Sequence, residues 1–288
     1  MAESTKLKYA YYPGCSLEAT AKEYDESVRA SAKLLDVELV ELDDWNCCGA
    51  SSGHCTDPEL SLALPARNLA IAEKMGNDMA LACAACFLRF RQTNHDLRAN
   101  DELRQRIEQI IDAPYQAKIE AKHVLDIFAR EVGLEKIEQR VKKPLKGLKL
   151  AAYYGCYLVR PPKVTQFDDP ENPMIMDNLL TTIGAEPVDW SHKVECCGGG
   201  LLLARTDVVV KLCNDICQAA LDAGAVALVT ACPLCQANLE LRQTIGVPAF
   251  YFSELLALSL GASEKEFKSW MKRHIQNPVP ALKAQNLI

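Results

Sequence analysis

The sequence predicts an α/β protein made of two repeated units, each a small parallel sheet covered by helices. Three observations carry this expectation. Strand-like and helix-like stretches alternate as β-α-β-α-β-α in both halves, the pattern of a parallel sheet. A five-cysteine figure occurs twice: Cys15, Cys47-Cys48-Gly49 and Cys83-Ala84-Ala85-Cys86, then Cys156, Cys196-Cys197-Gly198 and Cys232-Pro233-Leu234-Cys235, with 34 residues between each CC pair and its CxxC. Each cysteine group directly follows a predicted strand, so three distant loops should meet at the carboxyl edge of each sheet, where α/β proteins build sites.

Taken in order, Lys8 to Tyr12 is β-prone and ends at Pro13-Gly14, just before Cys15. Apolar spacing predicts a helix over 18–35 and alternation predicts a strand over 37–42, leading to the CC pair. Asp57-Pro58 opens a helix that stops at Gly76. Residues 78–82 form a short apolar strand before Cys83, and a long charged helix should run to about Ile111. Pro114 breaks it, and a further amphipathic helix is expected over 119–132. Residues 142–147 read as a polar connector, dividing the chain into units 1–144 and 145–288. The second unit restarts with a strand over 148–154. An irregular insertion with Pro161, Pro162, Pro170 and Pro173 lengthens its first gap. Then come a helix over 174–183, a strand over 186–190, a helix over 202–223, a strand over 225–230 and a fourth strand over 247–252. A last amphipathic helix is expected over 264–274, and the Pro278-Pro280 tail on a surface.

Composition bounds the function. The 288 residues are 49% hydrophobic, enough for each unit to bury a core without disulfides. A formal charge of −6 argues against nucleic acid or an anionic membrane as the main partner. The polar residues after Met1 lack a signal peptide's apolar stretch, and no apolar run is long enough to span a bilayer. A cytoplasmic protein is expected, and in that reducing compartment 13 cysteines point to metal or redox work.

Adjacent cysteines are poorly placed to bridge each other. A CC pair joined by a distant CxxC suits a soft metal or an iron–sulfur cluster instead. Five thiols exceed the four that a structural zinc or a cubane cluster needs. Gly49, Gly198 and Gly199 would let backbone approach an inorganic core without a Cβ clash. Their amides, with the helix starts after each CxxC, would favour sulfide and thiolate charge. No ferredoxin-type cysteine run is present, so electrons would come from a partner protein.

This twice-repeated spacing resembles the cysteine-rich CCG-domain family, and within it the B subunits of CoB–CoM heterodisulfide reductase. The likeness runs from Tyr11-Tyr12-Pro13-Gly14-Cys15 to the Lys272-Arg273-His274-Ile275 region. It implies two noncubane [4Fe-4S] clusters, one held by Cys15, Cys47, Cys48, Cys83 and Cys86, the other by Cys156, Cys196, Cys197, Cys232 and Cys235. It implies reductive cleavage of a small-molecule disulfide between them, as one component of an oxidoreductase complex of methanogenesis or a related pathway. The implied partners are the C-type subunit of such complexes, with cubane iron–sulfur clusters, and the flavin-containing A-type subunit, with hydrogenase or formate dehydrogenase components beyond. Sulfur-oxidising or bifurcating complexes, and electron-relay or anchor subunits of other dehydrogenases, use the same domain.

Other readings stand beside these. Zinc could fill one half. His54, close after the first CC pair, could donate a proton or hydrogen bond to a cluster sulfur, or serve its loop. Cys213 and Cys217 share a helix face and, with Cys55, are read as structural. Trp45 and Trp190 are read as packing beside the pocket. Arg89, Arg91, Arg160, Lys163 and Arg205 lie near cysteine loops, where they could receive an anionic substrate or simply be solvated.

Overall fold

The computed structural model describes residues 7–50 and 52–288; the polar lead at 2–6 lies outside them. Two four-stranded parallel sheets form the centre of the molecule. The first contains β1 (Lys8–Tyr12), β2 (Glu38–Glu41), β3 (Met79–Leu81) and β4 (Ala121–His123) in the order β2-β1-β3-β4. The second contains β5 (Lys149–Tyr153), β6 (Glu186–Pro187), β7 (Ala227–Thr230) and β8 (Ala249–Tyr251) in the same order, β6-β5-β7-β8. The repeated α/β reading is therefore met, and the first sheet has a fourth strand, β4, beyond the three expected there. β3 and β7 are buried throughout, as strands covered on both faces must be.

Several elements depart from the sequence expectation for identifiable reasons. The segment expected to be a helix over 119–132 begins with β4, and only then turns helical at Val124. The three-residue strand is too short to show alternation. The long helix to Ile111 is two helices, Ala84–Ala99 and Asp101–Ile111, because the Asn100 side chain caps the second by accepting from the Leu103 amide at 3.0 Å. The strand expected to reach Trp190 is only Glu186–Pro187 at the sheet edge: the Glu186 and Val188 amides donate to the Leu148 and Leu150 carbonyls, and the chain then leaves the sheet for the CC loop. Gly199–Leu201 is a 3₁₀ turn, and the helix after it starts only at Thr206. The tail lies on the surface as expected, but as a packed element: it forms a helix over Val279–Lys283 that buries Leu282, and Leu287 is buried after it, while Asn277, Pro280, Lys283, Ala284 and Asn286 stay exposed. The connector over 142–147 is also built in. The Lys142 and Lys143 amides donate to the Ser259 carbonyl, and buried Leu145 donates to Ile183.

The halves share one continuous hydrophobic core. Its densest cross-half contact sets the helix Lys22–Leu34 against Phe252–Leu260. There Tyr24 stacks on Tyr251 with centroids 4.0 Å apart, and Ser27 and Ser253 hydroxyls meet at 2.6 Å. The helix that follows the last strand of the second repeat thus covers the first repeat.

Candidate functional site

The five cysteines of each repeat come from three loops, and each loop is positioned by a strand. β1 and β5 end in tight turns at Gly14 and Gly155, both with positive φ (73° and 66°), so Cys15 and Cys156 are turned back over the sheet edge. A Cβ on Gly155 would lie 3.1 Å from Cys235 Sγ, and one on Gly14 would lie 2.9 Å from the Tyr12 ring and 3.6 Å from Cys86 Sγ. The CC loops are held from below by tyrosine. Tyr12 Oη donates to the Asn46 carbonyl at 2.9 Å, and Tyr153 Oη to the Glu195 carbonyl at 2.7 Å. Cys83 and Cys232 are the residues on which the helices Ala84–Ala99 and Pro233–Leu241 begin, leaving Cys86 and Cys235 in the first turn.

The sulfurs converge in pairs. Cys15 and Cys47 Sγ are 3.9 Å apart, and Cys48 and Cys86 are 3.1 Å apart. In the second repeat Cys156 and Cys196 are 3.9 Å apart, and Cys197 and Cys235 are 3.6 Å apart. The structure therefore brings together the predicted members of both sets. Across the junction of the halves Cys83 and Cys232 come close enough for each to shift the other's titration, joining the sets.

Backbone amides face these sulfurs. Gly49 N–H points to Cys47 Sγ at 3.4 Å and Gly198 N–H to Cys196 Sγ at 3.3 Å. Three thiols are accordingly favoured as thiolates. Hydrogen bonds with Cys47 and Cys86 push Cys48 well below the usual thiol range. The bond with Cys156, then the Gly198 and Gly199 amides, brings Cys196 down to about 6. Cys235 and Cys83, helped by the amides at the helix start, push Cys232 down. Cys47, Cys83, Cys86, Cys156 and Cys235 are pushed up, first by the hydrogen bond each makes to a neighbouring thiol. The thiolate is the form that binds metal.

Among the described residues no group of three or more His, Cys, Asp or Glu side chains is arranged to hold a metal ion. The donor chemistry nevertheless fits a thiolate-ligated group: five soft sulfurs per repeat, amides aimed at them, and turns where only glycine leaves room.

Residues outside the sets fall into place around them. Cys213 and Cys217 are fully buried in the core, and burial raises both thiols to about 12. Cys213 touches the Cys197 carbonyl at 3.7 Å. His54 and Cys55 are exposed on the short helix Gly53–Thr56, 3.4 Å from each other. Trp45 meets Tyr12 edge-on at 5.4 Å, and Trp190 Nε1 donates to Ala152. Of the basic candidates Arg91 pairs with Glu120, Arg160 with Glu171 and Arg205 with Asp207. Arg89 and Lys163 make no ion pair among the described residues, and half-buried Arg89 lies near Tyr157, the neighbour of Cys156.

Sequence reasoning missed His123. It ends β4, is fully buried, and places Nε2 3.1 Å from the Ala82 carbonyl and 3.0 Å from Ala231, the residues before Cys83 and Cys232. It pins the two cysteine loops to one another. Its only sequence signal was its place in the first repeat, where the second has its fourth strand. The paired Tyr12 and Tyr153, each two residues before the turn glycine, could have been found from the repeat itself.

The profile of the cysteine-rich domain matches the chain twice, over residues 9–91 and 150–240. The chain is 33% identical over 270 residues to the 8-methylmenaquinol:fumarate reductase membrane anchor subunit of Wolinella succinogenes, covering 90% of this chain and 94% of that protein. It is 28% identical over 274 residues to the B subunit of the ferredoxin/F420H2-dependent CoB–CoM heterodisulfide reductase of Methanosarcina acetivorans, covering 90% and 91%. It is 27% identical to a protein of Archaeoglobus profundus that is like the heterodisulfide reductase B subunit, covering 88% and 91%. A crystal structure of a hypothetical protein from Helicobacter pylori shares the fold with a TM-score of 0.73 at 13% identity, over 95% of this chain and 52% of that one. Among the described residues no helix is long and apolar enough to cross a membrane. With both repeats matched and their ten cysteines gathered at two adjoining sheet edges, the chain belongs to the cysteine-rich CCG-domain family and is similar to heterodisulfide reductase B subunits.

Proposed function

We propose that this chain is the disulfide-reducing component of a multi-subunit oxidoreductase. A small-molecule disulfide, two electrons and two protons would be consumed and two thiols released. The observation that carries this reading is the meeting of the two five-thiol sets at the junction of the halves, where His123 Nε2 lies 3.1 Å from the Ala82 carbonyl and 3.0 Å from the Ala231 carbonyl, the residues before Cys83 and Cys232. Cleaving one sulfur–sulfur bond yields two thiolates, and a paired site can stabilise both. Cys15, Cys47, Cys48, Cys83 and Cys86 would hold one [4Fe-4S] cluster of the noncubane kind, and Cys156, Cys196, Cys197, Cys232 and Cys235 the other. Bound there, such clusters supply single electrons and Lewis-acidic iron able to hold a sulfur.

The chain's own residues do the rest. Gly49 and Gly198, in the left-handed region at φ 71° and 77°, turn the CC loops so that their amides, with that of Gly199, point at thiolate charge. Arg89, without an ion-pair partner among the described residues, is the cation best placed for an anionic group on the substrate. The electrons would come from a partner protein carrying cubane clusters, in a cytoplasmic complex.

A second reading is an electron-relay role, favoured by the identity with the fumarate reductase anchor protein. One experiment separates the two. Anaerobically purified protein is analysed for iron, sulfide and zinc, then titrated with a thiol or disulfide while its EPR spectrum is followed. Disulfide reduction requires iron and sulfide for two four-iron clusters and a spectrum that changes with the substrate. A full iron content with an unmoved spectrum supports the relay. Zinc in place of iron ends both.

A further inference from the structure

The duplication of the cysteines does not extend to what surrounds them. Aligned on the CC and CxxC groups, the repeats match Phe87 with Gln236, Arg91 with Glu240 and Leu81 with Thr230. Strand register matches His123, opposite Leu81, with Tyr251, opposite Thr230. In the first repeat the ring of His123 has apolar neighbours, and Arg91, which stands where the second repeat has Glu240, pairs with Glu120 at 2.8 Å, with Arg98 on the other Glu120 oxygen at 2.8 Å. Phe87 and Phe167 pack edge-on against His123 at centroid distances of 6.0 and 6.1 Å. His123 Nδ1 accepts from the Leu125 amide, so the proton sits on Nε2 between the two carbonyls and the ring is uncharged.

In the second repeat the corresponding space holds a buried charged network. Gln236, the residue after Cys235, accepts from Thr230 Oγ1 at 2.8 Å and donates to Glu240 at 2.9 Å. Its amide donates to the Cys232 carbonyl at 3.0 Å. His274 lies between two carboxylates, with Nδ1 2.6 Å from Glu240 and Nε2 2.9 Å from Glu254. The three side chains are 1%, 8% and 0% exposed, in the order His274, Glu240, Glu254. A ring with a carboxylate at each nitrogen must donate from both, and is therefore an imidazolium. One positive charge against two negative ones leaves a net negative charge, buried and linked to the second cysteine set through Gln236, the residue after Cys235. Glu23 faces the same triad, and burial favours its neutral form.

We propose that the triad Glu240–His274–Glu254 makes the second cysteine set the lower-potential site of the two, so that electrons settle first at Cys15, Cys47, Cys48, Cys83 and Cys86. Reduction adds negative charge, and a buried negative charge nearby opposes it in a weakly screening interior. The inference rests on the reading that each set holds a cluster.

The test is an EPR-monitored redox titration of the anaerobically purified, iron-loaded chain. Two separate midpoints are expected, with Cys156→Ser altering the signal that belongs to the lower one. Glu240→Gln and Glu254→Gln, which keep a hydrogen-bonding oxygen, should raise that lower midpoint. At fixed ambient potential the reduced-to-oxidised ratio should rise about tenfold, ~59 mV for one electron, with the upper midpoint in place. Glu26→Gln, at the surface pair with Arg273, should move neither. Coincident midpoints, a lower midpoint that responds to Cys15→Ser, or equal shifts of both signals would overturn the proposal. If neither glutamine variant folds, the assignment by Cys156→Ser alone decides the order. Failure of the underlying reading would be seen earlier and separately, as a preparation without iron.

Discussion

At the scale of single residues, the site depends on positions where a small change reaches a sulfur directly. Gly155 and Gly224 both have positive φ (66° and 84°), but only Gly155 has a thiol where a Cβ would go. Alanine in the left-handed region costs about 1–2 kcal/mol at either place. Gly155→Ala and Gly224→Ala should therefore lose comparable stability in urea unfolding, while only Gly155→Ala loses iron from the second set. His123 allows a pH prediction. Burial pushes it from the usual 6.5 down to about 4, so the unfolded chain takes up the proton first. Its contribution is complete above pH 6.5 and is lost as pH falls towards 4. Between pH 7 and pH 5 this removes about 2 kcal/mol at ~1.4 kcal/mol per unit. His123→Gln should lack that share of the acid limb when denaturation midpoints are compared at the two pH values.

At the scale of elements, the cysteine loops were legible because spacing and strand order are local signals repeated twice. Cys15, Cys47, Cys48, Cys83 and Cys86 were placed together from sequence, and so were their counterparts. What stayed hidden was set by tertiary partners. β4 is three residues long and has no pattern of its own, yet it delivers His123. His274, Glu240 and Glu254 lie far enough apart in sequence that only packing unites them. The same holds for Ser27 and Ser253, whose hydroxyls let two helices from different repeats approach closely while Ser31 donates to the Ser253 carbonyl at 3.1 Å. Ser27→Leu should overpack that contact and lower stability by about 1–3 kcal/mol in chemical denaturation. A loss within about 0.5 kcal/mol, the range of ordinary surface changes, would show that the contact is not tightly packed.

At the scale of the whole molecule, two copies of one fold have been made into a single unit with unequal halves. The shared core, the helix contact between repeats and the His123 bridge all cross the same junction, and Cys83 and Cys232 meet there. Position relative to that junction should decide how far damage spreads. Cys15 is exposed, and its 3.9 Å sulfur contact is with Cys47 of its own set. Cys15→Ser should therefore disturb only the first cluster, leaving the second EPR signal unchanged. Cys83→Ser removes the thiol partner that helps hold Cys232 as a thiolate, so it should alter both signals although it deletes a ligand from one set. Iron content and EPR of the two variants, prepared side by side, measure this directly. If Cys83→Ser affects the first signal alone, the two sites do not communicate through their sulfurs, and the contact between the halves serves packing only.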